Sequence, residues 1–339
     1  MYIGSRSPVI ITRTPYRISF FGGGTDYPAW YTAHGGAVLS TAIDKYCYIS
    51  CRHLPPFFEH RFRIAYSRIE NVMHPREIEH PAVRAVLQYL GCEDGLEIHV
   101  DGDLPARSGM GSSSSFTVGL LHAVKALQGQ PIAREALARL AQHVEQQVIG
   151  ESVGSQDQIA AAVGGFNRID FLRGEGGFTV TPAEVPRPRL EALQAHLMLF
   201  FTGFSRIAAK IAQSKIDNLG KRLDELTRLH AMVDEALAIL QGPGSLEAFG
   251  ELLHCSWLLK KNLSSQVSNQ DIDHLYTIAR SSGAIGGKLL GAGGGGFMLL
   301  FVRPERQAQV RESLRDLVHV PFRFEQSGSQ LMRYQPSPT

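Results

Sequence analysis

The sequence predicts an α+β protein of two domains. Three observations carry this expectation. The chain has 339 residues, which at roughly 100–200 residues per domain is two units. Stretches rich in β-branched and aromatic residues occur in both halves, among apolar stripes of helical period. The two kinds do not alternate regularly, which disfavours a doubly wound parallel sheet. Hydrophobic residues make up 44% of the chain, enough for a sizeable core and too many for wholesale disorder.

In order along the chain, Val9–Ile11 and Arg17–Phe21 read as strands flanking Thr14-Pro15 and ending in Gly22-Gly23-Gly24. Ala37 to Cys51, Arg61 to Tyr66 and Leu96 to Val100 continue as strands, with a short helix over Pro81 to Leu90. Ser112 to Leu127 predicts a helix with Phe116, Leu120, Val124 and Leu127 on one stripe. A second helix begins at Pro131 and ends at Gly150. Gly174 to Pro188 reads as a loop or edge ribbon, and the domain boundary is placed there: residues 1–185 and 190–339. Leu193 to Phe201 is expected as an apolar strand, followed by a long helical stretch from Ile207 to Leu240 that Gly242-Pro243-Gly244 stops. Helices over 246–263 and 273–282, a buried strand Phe297 to Val302, a helix over 307–317 and a short strand Phe322 to Phe324 complete the series.

Charge and cysteine content bound the function. Lys and Arg number 34 and Asp and Glu 32, a formal balance of +2, which argues against a general nucleic-acid or membrane-surface binder. Four cysteines are too few for a disulfide scaffold in so long a chain. Cys47 and Cys51 would share one face of a strand, as core residues do. No apolar run approaches the 18 or so residues needed to span a bilayer, and no signal segment opens the chain. A soluble, reduced, cytoplasmic protein is expected, its oligomeric state open.

Chemistry concentrates in the glycine clusters. Pro105, Ser108, Gly109, Gly111, Ser112, Ser113, Ser114 and Ser115 lead directly into a helix. Two glycines allow a tight turn, and the helix presents unpaired N–H groups at the positive end of its dipole, a site suited to phosphates. The lysine of a Walker loop is missing, and the plainer reading is a capped helix after a flexible turn. In Thr14 to Tyr27, Arg17 and Asp26 flank the triple glycine; Asp26 would accept sugar hydroxyls, or it forms a turn in a bulged hairpin. Asp157 lies in Gly154-Ser155-Gln156-Asp157-Gln158, where a helix N-cap is the plainer role. Glu145 falls near a helix C-terminus, where the dipole disfavours a carboxylate, which favours a metal-binding role. Gly286 to Phe297 matches the dinucleotide fingerprint by letter, but it opens a strand rather than a helix, which excludes nicotinamide binding.

Taken together, Thr14–Tyr27, Pro105–Ser115 and Lys288–Phe297 resemble the three motifs, in order, of the GHMP kinase superfamily. The resemblance implies a ribosomal protein S5 domain 2-like N-terminal domain and a ferredoxin-like C-terminal domain. The Gly-Gly-Gly-Thr-Asp form of the first motif, with Phe201–Arg206 and Gln156–Gln158, is similar to the branch holding heptose 7-phosphate kinases and fucokinases. That branch implies transfer of phosphate from ATP to the anomeric hydroxyl of a sugar or sugar phosphate. Carried over by motif, Asp157 and Arg17 are the catalytic pair. Pro105, Ser108, Gly109, Gly111, Ser112, Ser113 and Ser114 hold the nucleotide, and Ser113 and Glu145 hold Mg²⁺. Gly24, Thr25, Asp26, Arg206 and Gly294 face the sugar. Arg206 and Lys210, four apart on one expected helix face, are the candidates to hold a substrate phosphate. A fucokinase-like hexose 1-kinase and a non-catalytic binding protein of the same fold are the alternatives.

Overall fold

The computed structural model describes residues 8–174, 177–203 and 208–334. In place of two strands around Pro15 there is one, β1 (Val9–Phe21), with a shift of register between Pro15 and Tyr16. Proline has no N–H to give the ladder, so the partner register slips by two residues, past Asp44 and Lys45, rather than ending. A helix the sequence did not signal, α1 (Pro28–His34), starts on a proline at its first position. The long β2 (Gly36–His53) follows, then β3 (Phe62–Ala65), β4 (Ile69–Val72), α2 (Pro81–Tyr89) and β5 (Leu96–Gly102). Next come α3 (Ser112–Leu127), α4 (Arg134–His143) and a π-helical turn Val144–Val148. The first half closes with α5 (Gln156–Val163), β6 (Phe166–Phe171) and β7 (Phe178–Pro182).

In the second half, α6 (Arg187–His196) occupies the start of the expected strand, and β8 is only Leu197–Phe201. The prolines at 186 and 188 begin a helix here rather than a loop. The expected long helix is broken into α7 (Ala208–Ile216), a turn at Leu219–Lys221, and α8 (Leu223–Gln241). Asn218 and Gly220 stand at the break, both poor helix formers. Then come α9 (Glu247–Asn262), α10 (Gln270–Ser281), β9 (Ala284–Leu289), β10 (Phe297–Val302), α11 (Gln307–Ser313), β11 (Val318–His319), β12 (Phe324–Glu325) and β13 (Gln330–Tyr334).

The strands form two sheets. One has nine strands, with the path β13-β1-β2-β5-β3-β4 and β6, β7 and β12 branching from β2 and β6. The other is antiparallel, β11-β8-β10-β9. We propose residues 185–190 as the domain boundary because it separates β1–β7 from β8–β11. The last two strands, β12 and β13, return to the first sheet. Helices and mostly antiparallel strands mix in both halves, the α+β class that the sequence predicts.

Burial explains both strand patterns. Residues 9–14 of β1 alternate between partly exposed and buried, and every residue from Pro15 to Phe21 is buried. There β1 lies between α3 and α5 on one side and α8 and α9 on the other, so no face is left for polar side chains. In β10 all six residues are buried. Phe297, Leu299 and Phe301 join the main core, while Met298, Leu300 and Val302 join a second cluster around Trp257, as a period of two requires. Cys47 and Cys51 are buried, unpaired core residues of β2. Among the described residues no helix is long and apolar enough to cross a membrane.

Candidate active site

The buried end of β1, the Gly22–Gly24 turn and the N-termini of α3 and α5 converge on a cleft of about 250 Å³, closed on the far side by α7, α9 and β9. Arg17, on β1, donates Nε to Oδ1 of Asp157 and Nη2 to Oδ2, each at 2.7 Å. Its Nη1 donates to the Gly109 carbonyl at 2.8 Å. This two-bond fork fixes the Asp157 carboxylate at the mouth of the cleft. Asp157 sits in the first turn of α5. Its side chain faces Arg17 and does not cap the helix, so the plainer N-cap reading does not hold.

The Gly109–Ser114 segment forms a cradle. Gly109 and Gly111 adopt positive φ of 83° and 74°, which side-chain-bearing residues rarely reach. A Cβ on Gly109 would lie 2.7 Å from the Leu290 carbonyl oxygen, and one on Gly111 would lie 3.2 Å from Arg17 Cγ. Gly111 is the N-cap of α3 and offers no side-chain cap, so the first N–H groups of the helix are left for a ligand. Ser112, Ser113 and Ser114 line the cleft with Gly109 and Gly111. These features fit a polyphosphate.

Glu145 fits a divalent cation. The π-helical turn places it wholly inside the protein. Oε2 accepts from Ser114 Oγ at 2.9 Å and from Gln158 Nε2, while Oε1 has no partner. Burial pushes the Glu145 carboxyl up to about 7, outweighing the hydrogen bonds from Gln158 and Ser114 that favour its charged form. The serine bonded to Glu145 is Ser114, whereas sequence reasoning paired it with Ser113, which is exposed and lines the cleft. The extra residue of the π turn rotates Glu145 toward α3, a shift that helical periodicity does not reveal.

Asp26 is buried in the cleft wall. Its Oδ1 accepts from the Gly24 N–H at 2.9 Å and its Oδ2 from Gln156 Nε2 at 2.8 Å. Burial raises its pKa, with the Asp157 charge adding to the effect. Ser155 is also buried and bonded to Tyr31 and Gln146, so it supports the α5 turn from behind.

Four expected contacts are not brought to the cleft. Thr25 is fully buried, its hydroxyl donating to the Gly22 and Ala37 carbonyls; it ties the turn to β2. Pro105 is exposed on the approach to the loop, and Ser108 is buried beneath it; neither lines the cleft. Gly294 donates its N–H to the Val267 carbonyl and lies behind the wall. The last glycine cluster serves close packing instead: a Cβ on Gly291 would lie 2.4 Å from Gly109 Cα, and one on Gly296 would lie 2.1 Å from the Ser108 oxygen. Arg206 lies outside the described residues, as does the side chain of Lys210.

Sequence reasoning missed Lys215, Lys260 and Lys288, which line the cleft from α7, α9 and β9 and are all buried. A signal was present. Lys260 falls on the stripe Phe249, Leu253, Trp257, Lys260 of α9, and Lys288 is the lone charge between Ala284 and Val302. A cation at a core position needs a reason.

Comparison with known proteins gives consistent matches. Residues 77–165 match the GHMP kinases N-terminal domain and residues 232–319 the GHMP kinases C-terminal domain. The chain is 30% identical to a D-glycero-alpha-D-manno-heptose 7-phosphate kinase of Campylobacter jejuni, over 90% of this chain and 93% of that protein. It is 27% identical to a galactokinase of Pyrococcus furiosus over 90% of this chain and 92% of the relative. A crystal structure described as a D-glycero-D-manno-heptose 1-phosphate kinase from Bacteroides thetaiotaomicron superposes with a TM-score of 0.78 at 24% identity, covering 96% of this chain and all of the other.

Proposed function

This chain belongs to the GHMP kinase family, and we propose that within it the protein is an ATP-dependent kinase that phosphorylates the anomeric hydroxyl of D-glycero-D-manno-heptose 7-phosphate. The observation that carries the reading is the Arg17–Asp157 fork held against the glycine–serine cradle. One arginine bonds both the carboxylate and the loop, so acceptor and donor sites share a fixed geometry. Phosphoryl transfer needs positioning and charge neutralisation more than covalent help.

In this mechanism the Gly109–Ser114 backbone and the α3 N-terminus hold the nucleotide phosphates. Asp157 accepts the proton of the attacking sugar hydroxyl, or holds that hydroxyl in line by accepting its hydrogen bond. Arg17 keeps Asp157 oriented and offsets charge that develops on the transferred group. Asp26, steadied by Gln156 and Gly24, presents its carboxylate to sugar hydroxyls. Glu145 and Ser114 would hold Mg²⁺, with Ser113 adjacent; bound there, the metal supplies positive charge to the phosphates. The heptose assignment rests on the 30% identical relative and on the Gly22–Asp26 motif.

The test is ATP consumption by the purified protein against a panel of heptose 7-phosphate, heptose, fucose and galactose. Turnover led by heptose 7-phosphate is expected. Preference for fucose would replace the substrate, and nucleotide binding without sugar-dependent turnover would make the chain a binding protein. The Mg²⁺ assignment has its own check. Glu145→Gln keeps the shape of the buried side chain and removes its charge, so half-maximal activity should need about ten-fold more Mg²⁺ or beyond. An unchanged Mg²⁺ titration removes Glu145 as a ligand.

A further inference from the structure

The three buried lysines have no task in the mechanism above. Each ammonium carries three donors. Lys288 Nζ donates to the Phe20 carbonyl at 2.6 Å, which leaves two. Lys260 Nζ donates to the Leu289 and Gly291 carbonyls, each at 2.7 Å, which leaves one. Lys215 lines the same cleft, and its Nζ has no hydrogen-bond or ion-pair partner among the described residues. The charges do not cancel either. Arg17, Arg107 and the three lysines line the cleft against three acids, Asp26, Glu151 and Asp157, and Asp157 is already bonded to Arg17. A surplus of about two positive charges in a nearly dry wall is costly unless an anion arrives to meet it.

We propose that Lys215, Lys260 and Lys288 form an anion subsite, distinct from the glycine–serine loop, that takes a phosphate carried by the sugar substrate itself. The proposal rests on the sugar kinase reading and names the substrate class of the same cleft. A phosphate monoester carries about −1.5 to −2 charges and three strong acceptor oxygens, which matches the surplus charge and the unused donors. The nucleotide phosphates already have the loop and the α3 N-terminus. Lys215, Lys260 and Lys288 come from three separate elements and aim into one cleft, as a built subsite requires and a solvated helix face does not. Burial lowers the pKa of all three, Lys215 to about 8 and Lys288 to about 7, against the opposing charge of Asp26. A phosphate bound among them would hold them charged.

The experiment compares D-glycero-D-manno-heptose 7-phosphate with phosphate-free heptose on the full chain, wild type and Lys215→Met, with Lys215→Arg as the charge-retaining control. Two readouts are taken: binding by calorimetry without ATP or metal, and the ratio of kcat/KM for the two sugars. Lys215→Met should weaken binding of the phosphorylated sugar about ten-fold or more and lower the ratio similarly, since a charge-assisted hydrogen bond is lost. Lys215→Arg should recover most of both, with melting temperatures showing that the variants fold. An unchanged ratio in Lys215→Met with a raised KM for ATP overturns the proposal and gives the lysines to the nucleotide. Equal wild-type kcat/KM for the two sugars overturns it too, while leaving the kinase reading intact. Lysine-dependent binding of heptose 7-phosphate with no phosphoryl transfer would instead remove the kinase reading and keep the subsite.

Discussion

Asp157→Ala is expected to lower kcat by about 10²–10⁴-fold, the range in which a positioned general base or orienting carboxylate contributes. KM for ATP should change little, because the nucleotide cradle is built from the Gly109–Ser114 backbone and not from Asp157. Asp157→Asn should lose nearly as much. An amide keeps the size of the side chain but takes no proton, and it cannot accept two bonds from the Arg17 guanidinium as a carboxylate does. Stability is the confounding quantity, since Arg17 is buried and would lose its charge partner. Its remaining bond to the Gly109 carbonyl and the partial exposure of Asp157, 25% of its side chain, limit that cost. Steady-state kinetics alongside thermal melting separate the two effects. A folded Asp157→Ala protein with wild-type kcat removes this residue from the chemistry.

Gly111→Val is expected to abolish detectable ATP binding and activity together. At a φ of 74° a β-branched residue is a conformational outlier, and the left-handed region alone costs an ordinary residue roughly 1–2 kcal/mol. The new Cβ would also meet Arg17 Cγ at 3.2 Å and the Asp157 carboxylate at 3.5 Å. One substitution would thus block phosphate approach to the helix N-terminus and push on the Arg17–Asp157 pair. Gly111→Ala should give a milder form of the same defect, and its melting curve shows whether the protein still folds. Nucleotide calorimetry is the measurement. Affinity near wild type in the valine variant would place the phosphate site elsewhere.

The site was legible in sequence to the extent that its chemistry depends on local order. Gly109-Met110-Gly111 followed by serines and an apolar stripe announces a helix opened by a backbone able to meet an anion, because positive φ and a free N-terminus are properties of neighbouring residues. Arg17 beside the triple glycine is named by the motif resemblance, since its local order alone fits a bulged hairpin equally well. Other assignments failed where local order has two outcomes. Thr25 and Asp26 are adjacent, yet one is used up by the Gly22 and Ala37 carbonyls and the other lines the cleft. The motif resemblance placed Gly294 against the sugar, but its N–H bonds the Val267 carbonyl, and Gly291, Gly293 and Gly296 allow one backbone to approach another, which spacing cannot distinguish.

The sequence by itself pointed to the family through the resemblance of three motifs, and it determined the α+β class, most helices and buried strands, and the glycine–serine turn that opens α3; periodicity, turn residues and caps act over a few residues and carry that structural part. Only the tertiary structure decided that Arg17 meets Asp157 across 140 positions, that Ser114 rather than Ser113 bonds Glu145, and that three lysines from α7, α9 and β9 share one cleft. Those facts depend on how distant elements pack, and on a π-helical turn that shifts the facing of side chains by about one residue. Charge behaves likewise: a lysine in the sequence is a cation on a helix, and packing alone makes it a buried cation that needs an anion.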